Sequence, residues 1–164
     1  MLPSAPMPKE YGQGCPMALS LEFLGERWTL LIIRDLLRGP KKFGDLAQSL
    51  DGIAPAVLSL RLQVLEQRGI VERRFYSDHP PRAEYLLTPA GAELRAVVSA
   101  LTIWGARHLA TEREIVHVHC EQPIEMGYYC AGCDRKLATA DLRYQPRKSR
   151  PKRRASGRSN PVRA

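Results

Sequence analysis

Residues Ile53 to Thr88, IAPAVLSLRLQVLEQRGIVERRFYSDHPPRAEYLLT, change from one hydrophobic period to another inside a single short stretch. Pro55 opens the helical part, where its missing N–H would be unpaired in any case. Leu58, Leu62 and Leu65 recur at steps of four and three residues with Val57 and Val64 beside them, which marks one apolar stripe. Ser59, Gln63 and Gln67 fall between those positions and face away from it. Gly69 stands where a helix C-terminus takes a residue tolerant of positive φ. Beyond it the period drops to two, with Val71, Arg73 and Phe75 on one side and Glu72, Arg74 and Tyr76 on the other. Ser77 to Pro81 reads as a loop and Arg82 to Leu87 as the returning strand. A helix, a sharp stop and a hairpin form the layout of a winged helix-turn-helix, in which the helix enters a DNA groove and the hairpin tip lies on the backbone.

The flanking chain supplies what such a unit needs. Met17, Leu19, Leu21, Phe23 and Leu24 predict a short helix ending near Gly25. Trp28 to Leu37, WTLLIIRDLL, is dense enough in apolar residues for a central core helix, stopped by Gly39-Pro40. Lys41, Lys42 and Phe43 can pair as a short strand against the wing. Phe43 to Leu50 supplies the first helix of the helix-turn-helix, with Asp51-Gly52 as its turn and Ile53 as the plug. After Thr88-Pro89, the residues Leu94, Val97, Val98, Leu101, Trp104 and Leu109 keep a helical repeat over about five turns. One small domain has little surface on which to bury so long a stripe, so part of it is expected to meet a partner subunit.

Composition narrows the class further. The 164 residues suit one ordinary domain with appendages, and no uncharged apolar run reaches the roughly 18 residues of a membrane span. Nothing at the N-terminus reads as a signal peptide, so a cytoplasmic protein without membrane attachment is expected. The net charge of +8 is a property of the tail: eight of the 25 basic residues lie between Gln145 and Ala164, leaving 17 to face 17 acids. Pro, Arg, Ser and Gly dominate that tail, which is expected to stay disordered and to add sequence-independent affinity for phosphates.

Cys15-Pro16, Gly25-x-Arg27-Trp28-Thr29, Gly39-Pro40-x-x-Phe43, Leu58-x-x-Arg61-Leu62-x-x-Leu65-Glu66-x-x-Gly69, Pro80-Pro81, Tyr85-x-Leu87-Thr88 and Gly91 together resemble the HxlR family, bacterial winged-helix regulators related to the MarR group. The resemblance covers about residues 15 to 112. It implies a non-enzymatic transcriptional regulator: a homodimer on a pseudo-palindromic double-stranded DNA operator, open to a redox or ligand signal. Dimerisation would run through the Pro89–Leu109 helix and the N-terminal helix. The expected fold is mainly α with a small β-hairpin wing, followed by a small C-terminal Cys/His hairpin and a disordered basic tail. The expected organisation is a flexible arm at 1–14, the winged domain at 15–112, a Cys/His appendage at 113–144 and the tail at 145–164.

Ser59, Arg61 and Gln63 are the polar side chains expected to read DNA, Arg61 because a guanidinium can bind guanine O6 and N7 together. A salt bridge to Asp45 or Glu66 is the rival role for Arg61. Ala54 and Ala56 replace polar residues frequent in the family, so readout at Ala56 would be apolar contact or DNA shape. Lys41, Lys42, Arg73, Arg74, His79 and Arg82 are expected phosphate contacts, with solvated surface charge as the alternative.

The four cysteines divide into two problems. Cys15 sits at the entrance of the first helix, and the resemblance implies an oxidant- or electrophile-sensing thiol at about this position; burial as a small apolar residue is the alternative. His117-x-His119-Cys120, nine residues and Cys130-x-x-Cys133 offer two ligand pairs for one tetrahedral ion, so His117, Cys120, Cys130 and Cys133 are expected to hold structural zinc. His119 competes with His117, and a hairpin with free ligands is the bland alternative, since Asp134 stands where such knuckles favour glycine. Glu121 to Tyr129 is expected to fold back as a hairpin, and Lys136 to Tyr144 to add a strand.

Overall fold

The computed structural model describes residues 11–78, 81–109 and 114–143. Residues 1–10 of the expected arm, His79 and the expected tail at 145–164 lie outside the described residues. Two compact units are formed, one ending at Ile124 and the other beginning at Glu125.

The first unit starts with α1, Pro16–Leu24, and α2, Thr29–Leu36. Trp28 holds φ 77° at the entrance to α2, a left-handed conformation rare for a bulky side chain, and its ring carries the Arg27 guanidinium 4.9 Å from the centroid. Strand β1, Lys41–Lys42, runs directly into α3, Phe43–Ser49, and Asp45 accepts from the Lys42 backbone N–H at 3.1 Å. Helix α4 spans Pro55–Gln67 and is followed by strands β2, Val71–Asp78, and β3, Pro81–Leu87. The sheet order is β1-β3-β2, all antiparallel, and Lys41 faces Tyr85 across the ladder while Arg73 does so from the other edge.

The apolar stripe read from the sequence is the core. Leu58, Leu62 and Leu65 are buried from α4 against Ile32, Ile33 and Leu36 of α2 and Leu46 of α3. Each such burial contributes about 1.5–3 kcal/mol before entropy is charged against it. Gly69 ends α4 with φ 67°, and Ile70 N–H reaches back to the Leu65 carbonyl at 2.9 Å, the six-to-one bond of a glycine-ended helix. Inside this core Asp35 is 1% exposed, satisfied by Arg34 Nε at 2.9 Å and by the Ser49 hydroxyl, which donates at 2.6 Å. That contact ties α2 to α3 and fixes the positioning helix under α4.

The single helix expected over Pro89–Leu109 is two segments, α5, Pro89–Glu93, and α6, Arg95–His108. Leu94 has ψ −6° and its N–H bonds Gly91 three residues back, a tighter turn that interrupts the four-residue ladder. Gly91 is placed by backbone contact: a Cβ there would lie 2.1 Å from the Ile70 carbonyl oxygen.

The segment after α6 also departs from expectation. Residues 114–124 belong with the first unit rather than with the appendage. Val116 bridges Pro123, Ile124 N–H bonds the Ile115 carbonyl at 3.1 Å, and Ile115 and Ile124 line a small cavity beside Ile103 and Ala106 of α6. The hairpin expected at 121–129 lies further on instead. Strands β4, Tyr128–Cys130, and β5, Arg135–Leu137, flank the Cys130–Cys133 turn. The strand expected from Lys136 is only β5, after which Thr139–Asp141 forms one turn of 3₁₀ helix.

Candidate nucleic-acid interface

Helix α4 is amphipathic in a way that leaves one polar edge open. Ala56, Ser59 and Gln63 are exposed at three- and four-residue steps, opposite the buried Leu58, Leu62 and Leu65. These three positions are brought together on one helical edge of α4. A glutamine amide can donate and accept at one base, and a serine hydroxyl can do either.

Arg61 does not share that edge, which corrects the expectation that it reads a base. Its Nη2 lies 2.5 Å from Glu26 Oε2, in the connection between α1 and α2, and its side chain is only 19% exposed. The physical reason is visible in the spacing: position 61 is three residues after Leu58 and four before Leu65, within the apolar stripe. Neither Asp45 nor Glu66 is the partner. Glu26 is 35 residues away in sequence, so no local pattern could have pointed to it.

The basic residues divide according to what holds them. Arg74 faces Glu84 across the hairpin and is paired with it, Nε at 2.9 Å and Nη2 at 2.5 Å, so much of its charge is answered within the wing. The Arg73 guanidinium lies 4.7 Å over the Phe75 ring, and Lys42 Nζ lies 5.2 Å over the Tyr76 ring. Both contacts use the face of an exposed aromatic and leave the cation open to an anion. Phe75 is 53% exposed and Tyr76 47%, an apolar area on the wing that the alternation pattern did not anticipate as cation platforms. Arg82 is exposed opposite Ser77, and Lys41 is half-buried in its ladder.

Cys15 is exposed immediately before α1. The backbone amides of Ala18 and Met17 direct their N–H groups at its sulfur and hold its thiol below the ordinary cysteine range. It is not the buried small residue of the alternative reading. His117 Nδ1 and Cys120 Sγ lie 3.2 Å apart in the first unit, while Cys130 and Cys133 face each other in the second. Among the described residues, no three His, Cys, Asp or Glu side chains gather at one point.

A buried three-helix core, a recognition helix with an open polar edge and a cation-bearing hairpin define a winged helix-turn-helix transcription regulator. The chain belongs to the HxlR-like helix-turn-helix family, which matches it across residues 23–113. It is 35% identical over 138 residues to MT3179 of Mycobacterium tuberculosis (strain CDC 1551 / Oshkosh), an uncharacterised HTH-type transcriptional regulator, covering 82% of this chain and 87% of that one. Among solved structures it is similar to PA1374 of Pseudomonas aeruginosa, described as a candidate transcription factor, with TM-score 0.64, 34% identity and coverage of 84% and 96% of the two chains. It is also similar to the redox regulator HypR in its oxidised form, with TM-score 0.56, 31% identity and coverage of 59% of this chain and all of that one. No helix among the described residues is long and apolar enough to cross a membrane.

Proposed function

We propose that this chain regulates transcription as a homodimer that lays two copies of α4 into successive major grooves of a two-fold symmetric operator. The observation carrying the DNA-reading half is the exposed Ala56, Ser59 and Gln63 edge of α4. Ser59 and Gln63 hydrogen-bond base edges, and the Ala56 methyl suits apolar contact with thymine. Lys42, Arg73 and Arg82 neutralise phosphates on either side and make binding salt-dependent.

The dimer half rests on α6. None of its residues is buried, and Val97, Leu101 and Trp104 are exposed at four- and three-residue steps, with Trp104 at 56%. Met17 and Leu19 of α1 are exposed as well, at 67% and 51%. So much uncovered apolar surface on two helices of one unit is suited to a second copy that presents the same surface. Sedimentation tests this: the intact chain runs as a dimer at micromolar concentration and Leu101→Glu runs as a monomer. A wild-type monomer at that concentration contradicts the reading.

A redox response is the second element, favoured by Cys15. Its exposure opens the sulfur to oxidants, and the amides that face it favour the thiolate they attack. Oxidation next to α1 would act on the same surface that carries Met17 and Leu19. Operator binding measured before and after peroxide treatment, in wild type and in Cys15→Ser, tests it: wild type responds and the serine variant does not.

A further inference from the structure

The second unit carries two of the chain's four cysteines, and its hairpin holds both in one turn. Cys130 is the last residue of β4 and pairs with Arg135, the first of β5, so the turn between the strands is only residues 131–134. Cys133 lies within it. Gly132 presents no side chain to the Cys130 sulfur, which lies 3.8 Å from where a Cβ would stand. Asp134 takes a left-handed φ of 52°, which few residues with a Cβ adopt, and the Tyr129 hydroxyl donates to its carboxylate from β4. The Cys133 thiol and the amides of Gly132 and Cys133 hydrogen-bond the Cys130 sulfur.

This arrangement separates the two thiols by role. Cys130 receives the hydrogen bonds, so negative charge on its sulfur is met by the turn, while Cys133 supplies one of them and is the more exposed of the pair. A thiolate attacks a hydroperoxide, and a second thiol within reach turns the product into a disulfide. Two cysteines whose side chains point apart cannot be bridged without backbone movement. Here the sulfurs are already in contact, on a turn whose strands are fixed by their ladder. Structural zinc would draw four ligands, and among the described residues no third His, Cys, Asp or Glu side chain gathers with this pair.

We propose that Cys130 and Cys133 form a reversible oxidation site for hydroperoxides, complete within the second unit and separate from Cys15. The Cys130 thiolate attacks one peroxide oxygen and the O–O bond breaks. The departing oxygen takes up a proton and leaves as water or an alcohol, and Cys130 becomes a sulfenic acid. The Cys133 sulfur then attacks the Cys130 sulfur. An S–S bond forms, the S–O bond breaks, and the hydroxyl leaves as water with the Cys133 proton. Two electrons have passed from the sulfur pair to the peroxide, and a small-molecule thiol returns them by exchange.

The test is peroxide treatment of the full chain, then alkylation of the remaining thiols, cleavage after Tyr129 and mass spectrometry, which leaves Cys120 on a different peptide. The peptide beginning at Cys130 is expected to lose two hydrogens, to resist alkylation and to regain both thiols with dithiothreitol. In Cys133→Ser the reaction should stop at a sulfenic acid on Cys130, trapped by dimedone. In Cys130→Ser oxidation of Cys133 should be slower by about tenfold, because the remaining thiol lacks the amides that favour a thiolate. Cys15 is read from the same digest, so the sensing role proposed for it stands or falls separately. Both thiols still open to alkylation after excess peroxide would overturn the proposal. So would a disulfide joining either one to Cys15, to Cys120 or to a second chain, or zinc in the untreated protein that blocks their alkylation until a chelator is added.

Discussion

Arg61 Nη2 lies 2.5 Å from Glu26 Oε2, joining the middle of α4 to the α1–α2 connection across 35 residues of sequence. With its side chain only 19% exposed, Arg61 braces the reading helix rather than extending from it. Arg61→Ala should lower stability by about 1–2 kcal/mol, the range for a charged hydrogen bond that keeps some solvent. Operator and non-specific affinities should fall together, so their ratio stays constant. Urea denaturation and parallel binding titrations check both parts; a collapsed ratio at unchanged stability would mean that Arg61 contacts a base after all.

Gln63 has the opposite profile. It is exposed on α4 and supports no packing. Gln63→Ala should leave stability within about 0.5 kcal/mol, as at ordinary surface sites. It should reduce the preference for operator over random DNA by about 1–3 kcal/mol, the worth of a good base contact. Arg73→Ala should instead weaken both kinds of binding alike and reduce the salt slope by about one phosphate. Equal effects from the two substitutions would contradict the division of labour between α4 and the wing.

Thr88 and Gly91 couple the end of α4 to the helix that follows the wing. The Thr88 hydroxyl donates to the Gly69 carbonyl at 2.6 Å and accepts the Gly91 N–H at 3.1 Å. A Cβ at Gly91 would meet the Ile70 carbonyl, and backbone cannot swing aside as a side chain can. Gly91→Ala should therefore cost about 1–3 kcal/mol by overpacking, and Thr88→Ala about 1 kcal/mol through the lost cap. Thermal unfolding of the two variants measures this; an unperturbed Gly91→Ala protein would show that α5 is not seated on Ile70.

Where periodicity governs, the sequence was readable. The stripe of Leu58, Leu62 and Leu65, the stop at Gly69 and the pairing of Lys41 with the wing all follow from spacing and turn chemistry, because each is decided by neighbours in the chain. The failures share a cause. Glu26 as the partner of Arg61 and the Ile70 contact that shapes α5 are set by tertiary placement, and no local pattern encodes them. The stripe nonetheless held a usable signal about Arg61, since the same arithmetic that buries Leu58 and Leu65 puts position 61 between them. The appendage boundary was missed because Ile115 and Ile124 are isolated apolar residues among polar ones, and their value lies in the surface of α6 that they cover.

Cys15 makes a pH prediction. Amide N–H groups stabilise its thiolate, so its pKa lies below the ordinary cysteine range, and a thiolate persists at lower pH than in a free thiol. The alkylation rate of the Cys15 peptide, followed by mass spectrometry, should rise with pH through a midpoint below about 8.5, the value of an unperturbed cysteine. A midpoint at or above that value would remove the physical basis for a sensing thiol.

The account turns on two copies of α4 reading one duplex, and a hydroxyl-radical footprint on an operator isolated by selection tests that most directly. Two protected tracts related by a dyad are expected, their centres about 10–10.5 base pairs, or a multiple of that, apart. A single protected tract without two-fold symmetry would contradict it.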